Sequence, residues 1–372
     1  MMIHRFALTT LAAAAMLSGS VHAATTPLTG LEVLQQFSQV TLGSATSTTE
    51  TIGRAWIGGT VAGGQYAMSS SLPASSYAGL TVIGSASGFR GGYNGVNIGG
   101  SASNGDVQHS VGASFVGGNS ANTNYQNPTY ITGTITNGNL NGGGHVGLLG
   151  DSASHVNGSG LSSASQTLIA TNTEAATSTN FATVLGGLST DLSKLQGNSS
   201  VEFNSQGVVF NAVSNNGVAV FDLTALAHPG GSDLTQLDDL VFAASSITFN
   251  LNGATSVIIN TDNTSISTAA NFKDPTVVGS SLIWNMYKAG SVSIGTEWGG
   301  SVLAIGASFT NGNSIDGGVY SASITQRGEI HQYNYSGAIP TAVPEADTYA
   351  MLLAGLGLMG FIARRRKQAA AR

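Results

Sequence analysis

Short apolar segments recur along the first half of this chain at nearly constant spacing, separated by Gly, Ser and Asn turns. They read "AWIGGTV" (55–61), "LTVIGSAS" (80–87), "VNIGGSAS" (96–103), "GASFVGG" (112–118), "YITGTIT" (130–136) and "HVGLLG" (145–150). Counting from Ile83, comparable apolar positions fall at Ile98, Phe115, Ile131 and Leu148, steps of 15, 17, 16 and 17 residues. A strand-and-turn unit of this length cannot bury its own apolar face, so it must stack on its neighbours, which is the logic of a solenoid. The fold expected is all-β, a parallel β-helix or solenoid-like body. The chain has no cysteine, so stacking rather than a disulfide framework must stabilise it.

The periodicity changes near the middle. In "TSTNFATVLGGLSTDLSKLQGN" (177–198), Phe181, Leu185, Leu188, Leu192 and Leu195 follow one another at steps of 4, 3, 4 and 3. That spacing places them on one helical face, with Thr177 or Ser178 as N-cap and Gly197 as the stop. One long helix over about 163–197 is expected, packed along the flank of the stacked strands through Leu185, Leu188 and Leu192. Alternating, β-branched segments then return in "VAVFDL", "SITFNL", "SVIINT", "SLIWNMY", "SVSIG" and "SVLAIGASF". The closing "GGVYSASITQRGEIHQYNY" (317–335) reads as a last coil plus an edge. "GGGHVG" (142–147) reads as a turn.

The two ends carry targeting signals. His4 and Arg5 precede an apolar stretch, Phe6 to Leu17, and Val21-His22-Ala23 offers a small-x-small cleavage site. Residues 1–23 are therefore expected to be a secretory signal peptide, cut between Ala23 and Ala24 by signal peptidase. Residues 24–340 form the body and 341–372 a sorting and anchoring segment. The apolar run from Tyr349 to Ala363 is short for a bilayer span, and Arg364, Arg365, Arg366 and Lys367 would hold its end in the cytoplasm. A membrane stage through a C-terminal transmembrane helix is expected before processing.

Charge is sparse and segregated. Only 8% of residues are charged, and the body holds six of the 12 Lys and Arg but sixteen of the 18 Asp and Glu, a formal charge of about −10. Such a body lacks the basic footprint of a nucleic-acid binder. Acidic surface leaves room for cations.

"VPEADTYAMLLAGLGLMGFIARRRKQ" (343–368) resembles the PEP-CTERM sorting signal. Val343, Pro344 and Glu345 match its motif, Ala346 and Asp347 replace the usual Pro and Ser, and the Arg cluster follows the apolar run. The resemblance implies processing by an exosortase and delivery to the cell surface or extracellular matrix, as in biofilm proteins. "IGRAWIGGTVAGG" (52–64), "SLIWNMYKAGSVSI" (281–294) and "GSVLAIGASFTNGNSIDGGVYSASI" (300–324) resemble the opening, middle and close of the choice-of-anchor A domain, with Ile305 where that family often has Pro. That resemblance implies a surface-displayed, adhesin-like module without catalytic residues.

Candidate chemistry is thin. His109, His145, His155, His228 and His331 stand in no HExxH or HxH arrangement, so a zinc site is not indicated. His145, Asp151 and His155 in "HVGLLGDSASH" would converge only if the turn folded back. Asp238 and Asp239 are adjacent and, in a strand, would point to opposite faces. No catalytic residue, cofactor-binding residue or metal ligand is assigned. "TGTIT" (132–136) and "SISTAAN" (265–271) suggest Thr ranks that order water, but the Thr pairs do not repeat in the sequence from coil to coil. Tyr66, Tyr77, Tyr93, Tyr125 and Tyr130 sit in Gly- and Asn-rich stretches, where exposed rings would stack on sugars or simply pack within loops. The function expected is non-catalytic binding of an extracellular polysaccharide or surface. An enzyme acting on polysaccharide, or an ice- or cation-binding solenoid, is the alternative.

Overall fold

Val82, Ile98, Val116, Ile131 and Val146 stack on one another in parallel register, and all five are buried. The steps between them are 16, 18, 15 and 15 residues. The repeat read in the sequence is therefore present, but Ile83, Phe115 and Leu148 are not its in-register positions. In the computed structural model, residues 26–109, 111–150, 153–160, 162–224 and 237–340 are described, with Gly355, Leu356 and Met359 nearer the C-terminus. The expected signal peptide, its expected cleavage point at Ala23–Ala24 and the sorting-motif residues Val343, Pro344, Glu345, Arg364, Arg365 and Arg366 lie outside the described residues. The chain forms two compact units, one containing Arg54–Thr179 and the other Leu28–Gly53 with the chain from Asn180 onward.

The first unit has three parallel ladders. One runs through Ala55–Ile57, Leu80–Val82, Val96–Ile98, Ser114–Val116 and the start of Thr129–Thr136. A second joins Val61–Ala62, Ala86–Ser87, Ala102–Ser103 and Ser120–Ala121. The third joins Gln65–Tyr66, Arg90–Gly91, Asp106–Val107, Asn124–Tyr125, Asn139–Leu140 and His155–Val156. Strands of two or three residues need a sharp corner between ladders, and one corner repeats a left-handed backbone. Gly88, Asn104, Asn122 and Asn137 have φ of 64°, 52°, 49° and 49°. Glycine and asparagine are the residues that tolerate this region. The asparagines also bond in a column, Asn137 Nδ2 donating to Asn122 Oδ1 (2.7 Å) and Asn122 Nδ2 to Asn104 Oδ1 (3.1 Å).

Several expectations are corrected here. "GGGHVG" is not a turn, because it lies within the long strand Asn139–Leu149. Tyr66, Tyr77 and Tyr125 are buried, not exposed. Tyr66 and Tyr125 occupy the inward row of the third ladder, in line with Val107 and Leu140. Tyr125 Oη sits 3.0 Å from Ser120 Oγ, and burial raises both phenols above their ordinary pKa. Tyr93 and Tyr130 are half-buried, stacked on His109 and Phe115.

The helical segment is present but broken. Helix α1 (Gly30–Gln36) was not anticipated, and the predicted long helix is two, α2 (Ser163–Thr177) and α3 (Phe181–Leu192). The predicted N-cap is displaced: Ser178 closes α2, and Asn180 caps α3 by accepting from Thr183 N–H. Within the first unit, α2 covers the outward row of the first ladder. Trp56 Nε1 donates to the Ala176 carbonyl (3.1 Å), Asn97 Nδ2 donates to the Asn172 carbonyl (2.8 Å), and Ile169 packs with Phe115 and Ala113.

The second unit repeats this plan with larger side chains. Val218–Asp222, Ser256–Thr261, Leu282–Met286, Ser301–Leu303 and Val319–Ser321 stack in parallel. Beyond Val319–Ser321 the next strand is Gln39–Thr41, from the other end of the sequence. A four-stranded sheet, Ser200–Asn204, Gly207–Asn211, Ser246–Asn250 and Asn271–Phe272, adds Phe210, Phe249 and Phe272 around Trp284, which also meets Trp298 at 4.8 Å between ring centres. Helix α3 covers the opposite side of the Trp284 strand. Its buried face is Phe181, Leu185, Ser189 and Leu192. Leu188, expected on that face, is half-buried and turns toward α1, where a Cβ on Gly30 would come within 2.7 Å of Leu188 Cβ.

Candidate functional site: a ladder of hydroxyls

In the second unit, Ser265–Thr268, Ser291–Ile294, Ser308–Asn311, Ser323–Gln326 and Ala45–Ser47 form another parallel ladder. Its inward positions, Ile266, Val292, Phe309, Ile324 and Ala45, are buried. Strand alternation then sends the intervening side chains outward. One outward row is Ser265, Ser291, Ser308 and Ser323, and the other is Ser267, Ser293, Thr310, Thr325 and Thr46. Ser265 and Ser291 hydroxyls are 3.0 Å apart, and Ser323 Oγ donates to Ser308 Oγ at 3.2 Å. Successive coils lie about 4.8 Å apart, and outward residues on one strand about 6.6 Å apart, so hydroxyls are presented on a regular two-dimensional grid. None of these side chains ionises.

Thr pairs alone do not recur, as expected, but Ser and Thr hydroxyls together do. The repeat is hidden because Ser and Thr interchange and because the coils differ in length, with steps of 26, 17 and 15 residues from Ser265 to Ser323. "TGTIT" itself does not extend a Thr row: Thr136 aligns with Ala121, Ser103 and Ser87.

At one rim, Arg327 continues the outward alternation and borders a groove of about 390 Å³ with Thr49, Asn313, Ser314, Glu329 and His331. His331 Nδ1 lies 2.5 Å from Asp316 Oδ1 and its Nε2 lies 3.0 Å from Glu329 Oε2. The Asp316 hydrogen bond, opposed by partial burial and helped by Glu329, raises the imidazole pKa to about 9. Both ring nitrogens are occupied as donors to carboxylates at neutral pH, which leaves no lone pair to act as a general base.

The other candidates are not brought together. His145 stacks on Tyr130 in the first ladder of the first unit, while His155 pairs with Asn139 in the third ladder. Asp151 and His228 lie outside the described residues. Asp239 is exposed and accepts from Asn263 Nδ2 at 2.6 Å. Among the described residues no group of three His, Asp or Glu side chains is placed to hold a metal ion, and no helix is long and apolar enough to cross a membrane.

Sequence reasoning missed the asparagines that dock the helices. Asn285 and Asn260 are adjacent in the ladder and face α3. Ser189 Oγ donates to Asn285 Oδ1 (2.6 Å), Asn285 Nδ2 donates to the Ser189 carbonyl and to Asn260 Oδ1, and Asn260 Nδ2 donates to the Leu192 carbonyl (2.7 Å). The signal was an Asn at the same position of "SVIINT" and "SLIWNMY", inside otherwise apolar strands.

No curated protein and no solved structure gives a significant match to this chain. A family model does match, over residues 30–332, and a PEP-CTERM protein-sorting motif matches residues 342–367. The sorting motif implies processing by an exosortase and supports export to the cell envelope or surface. With its helix-covered ladders and its sorting tail, the chain belongs to the family described as "Putative Ice-binding-like adhesive domain".

Proposed function

We propose that this exported adhesin-like protein binds an extended extracellular polysaccharide or a hydrated solid surface through the Ser/Thr ladder, without catalysis. The observation that supports this is the pair of in-register, uncharged hydroxyl rows, one four coils deep and the other five. A single hydroxyl contributes little binding free energy, because each bond to a ligand replaces one to water. A repeated grid lets many weak contacts form at once on a ligand that is itself periodic. Such a surface discriminates by spacing rather than by a pocket.

A second reading has the same face ordering water against ice, favoured by the two-dimensional regularity of the rows and by the family's resemblance to ice-binding domains. Adsorption of the purified chain to insoluble polysaccharides and to ice separates these readings. Ser293→Lys with Thr310→Lys places two charged stems in the grid, and adsorption should then fall with the melting temperature unchanged. Retained adsorption to every surface would remove the ladder from the mechanism. Release of soluble sugar from any polysaccharide in the panel would overturn the non-catalytic reading.

A further inference from the structure

The hairpin joining Ser200–Asn204 to Gly207–Asn211 is pinned against the neighbouring strand Ser246–Asn250. Gly207 has φ of +133°, and a Cβ there would collide with the Ser246 carbonyl and hydroxyl oxygens. The Gln206 carbonyl accepts from Ser245 Oγ (3.1 Å) and from Ser246 Oγ. This closure builds one wall of a groove of about 500 Å³, which the side chains of Asn204, Gln206, Val209, Thr248, Asn271 and Lys273 line. Its size suits one or two sugar rings, within the roughly 300–1,000 Å³ of small-molecule sites.

The lining has a definite chemistry. Three amides and a Thr hydroxyl both donate and accept, as sugar hydroxyls do. No Asp or Glu lines the groove, and its one charged side chain is Lys273. Arg90, Lys194 and Lys288 each have a carboxylate at ion-pair distance (3.8, 3.1 and 2.8 Å), whereas Lys273 has none among the described residues. In a body with sixteen acidic residues and six basic ones, that leaves a cation at the groove free for an external anion. Charge acts over about 8 Å at physiological salt, so Lys273 and the exposed Glu202, which pairs with Val209 on the same face, count for more than the net charge of the body.

We propose that this groove binds an acidic sugar residue of an extracellular polysaccharide. Lys273 Nζ pairs with the sugar carboxylate, Asn204, Gln206, Asn271 and Thr248 bond ring hydroxyls, and Val209 covers an apolar ring edge. A neutral sugar would leave the ammonium without an anionic partner, which makes the carboxylate the selective group. The site uses none of the hydroxyl-ladder residues and does not rest on the ladder's role.

Calorimetric titration of the full chain with trigalacturonate, its fully methyl-esterified form and acetate tests the assignment. Trigalacturonate should bind, the ester and acetate at least about tenfold more weakly, as loss of one charge-assisted contact or of the hydroxyl contacts implies. Lys273→Gln should weaken trigalacturonate by about tenfold at an unchanged melting temperature. Ser293→Lys with Thr310→Lys should leave it unchanged, which separates this site from the ladder. Equal affinity for the ester would overturn the carboxylate contact, and equal affinity for acetate would overturn the sugar. Absence of trigalacturonate binding at millimolar concentration, or indifference to Lys273→Gln, would overturn the site.

Discussion

Asn285 shows how much one side chain carries in a fold with so few charges. It is fully buried, and its amide bonds Ser189 on both the hydroxyl and the carbonyl as well as Asn260. Asn285→Ala strands at least two of these groups in an apolar setting and should cost about 2–4 kcal/mol, since each unsatisfied buried group costs about 1–3. Chemical denaturation checks this, and a loss below 1 kcal/mol would mean that α3 is held by apolar contacts alone. His331 makes a second residue-scale prediction, now about pH. Its folded pKa of about 9 exceeds the ordinary 6.5, so protonation favours the folded state. The stabilisation is complete below about pH 6.5 and is lost as pH rises through about 9. The wild type should therefore lose melting temperature between pH 6.5 and 9.5 relative to His331→Gln. Parallel profiles for the two proteins would remove the Asp316–His331–Glu329 group from the stability of that coil.

At the scale of elements, the helices are a local signal read against a tertiary one. Helix α1 has a capping box that the sequence states openly in "TGLE": Glu32 N–H donates to Thr29 Oγ1 at 3.3 Å, and Thr29 N–H donates to Glu32 Oε2 at 2.8 Å. The Thr29 bonds hold the Glu32 pKa below its usual value. Thr29→Ala should cost about 1 kcal/mol, readable as a small shift in melting midpoint, and Leu185→Ala in α3 about 2–5 kcal/mol as a core truncation. A cost for Leu185→Ala no larger than that for Thr29→Ala would show that α3 does not pack against the strands. The existence of strands, their solenoid stacking and the apolar face of α3 were legible because periodicity records burial. The interruption at Ser178–Asn180 was not, since the buried face of α2 includes Ser165 and Asn172 and so offers no strong apolar period to mark the change of phase at Phe181. Inside and outside were also misassigned for Tyr66 and Tyr125. With ladder segments of two residues set among Gly and Asn, local composition says loop, and only the stacking partner decides which face a ring occupies. The hydroxyl rows escaped for a related reason, because a repeat of position rather than of residue type appears only when coils of unequal length are aligned.

At the scale of the whole molecule, the ladder order is not the chain order. Gln39, Val40 and Thr41 stack on Val319, Tyr320 and Ser321, and Tyr320 Oη donates to the Phe37 carbonyl at 2.7 Å across 283 residues of sequence. The second unit is therefore closed by its first and last coils, with Arg54–Thr179 inserted between them in the sequence. A chain built this way cannot finish folding from its N-terminus as it emerges. Within the second unit, the ladder partners of Gln39–Ser47 lie in Val319–Gln326, and contacts of such sequence separation form slowly. In an exported protein, this keeps the second unit's ladder incomplete until its last coils have been made. Chains truncated after residue 315 should lack hydrogen-exchange protection of the Leu42 and Gly43 amides, which donate to the Ser321 and Ala322 carbonyls, while Ala55–Tyr125 is protected as in the full chain. Protection of Leu42 and Gly43 in the truncated chain would show that this segment finds its place early, without the closing coils.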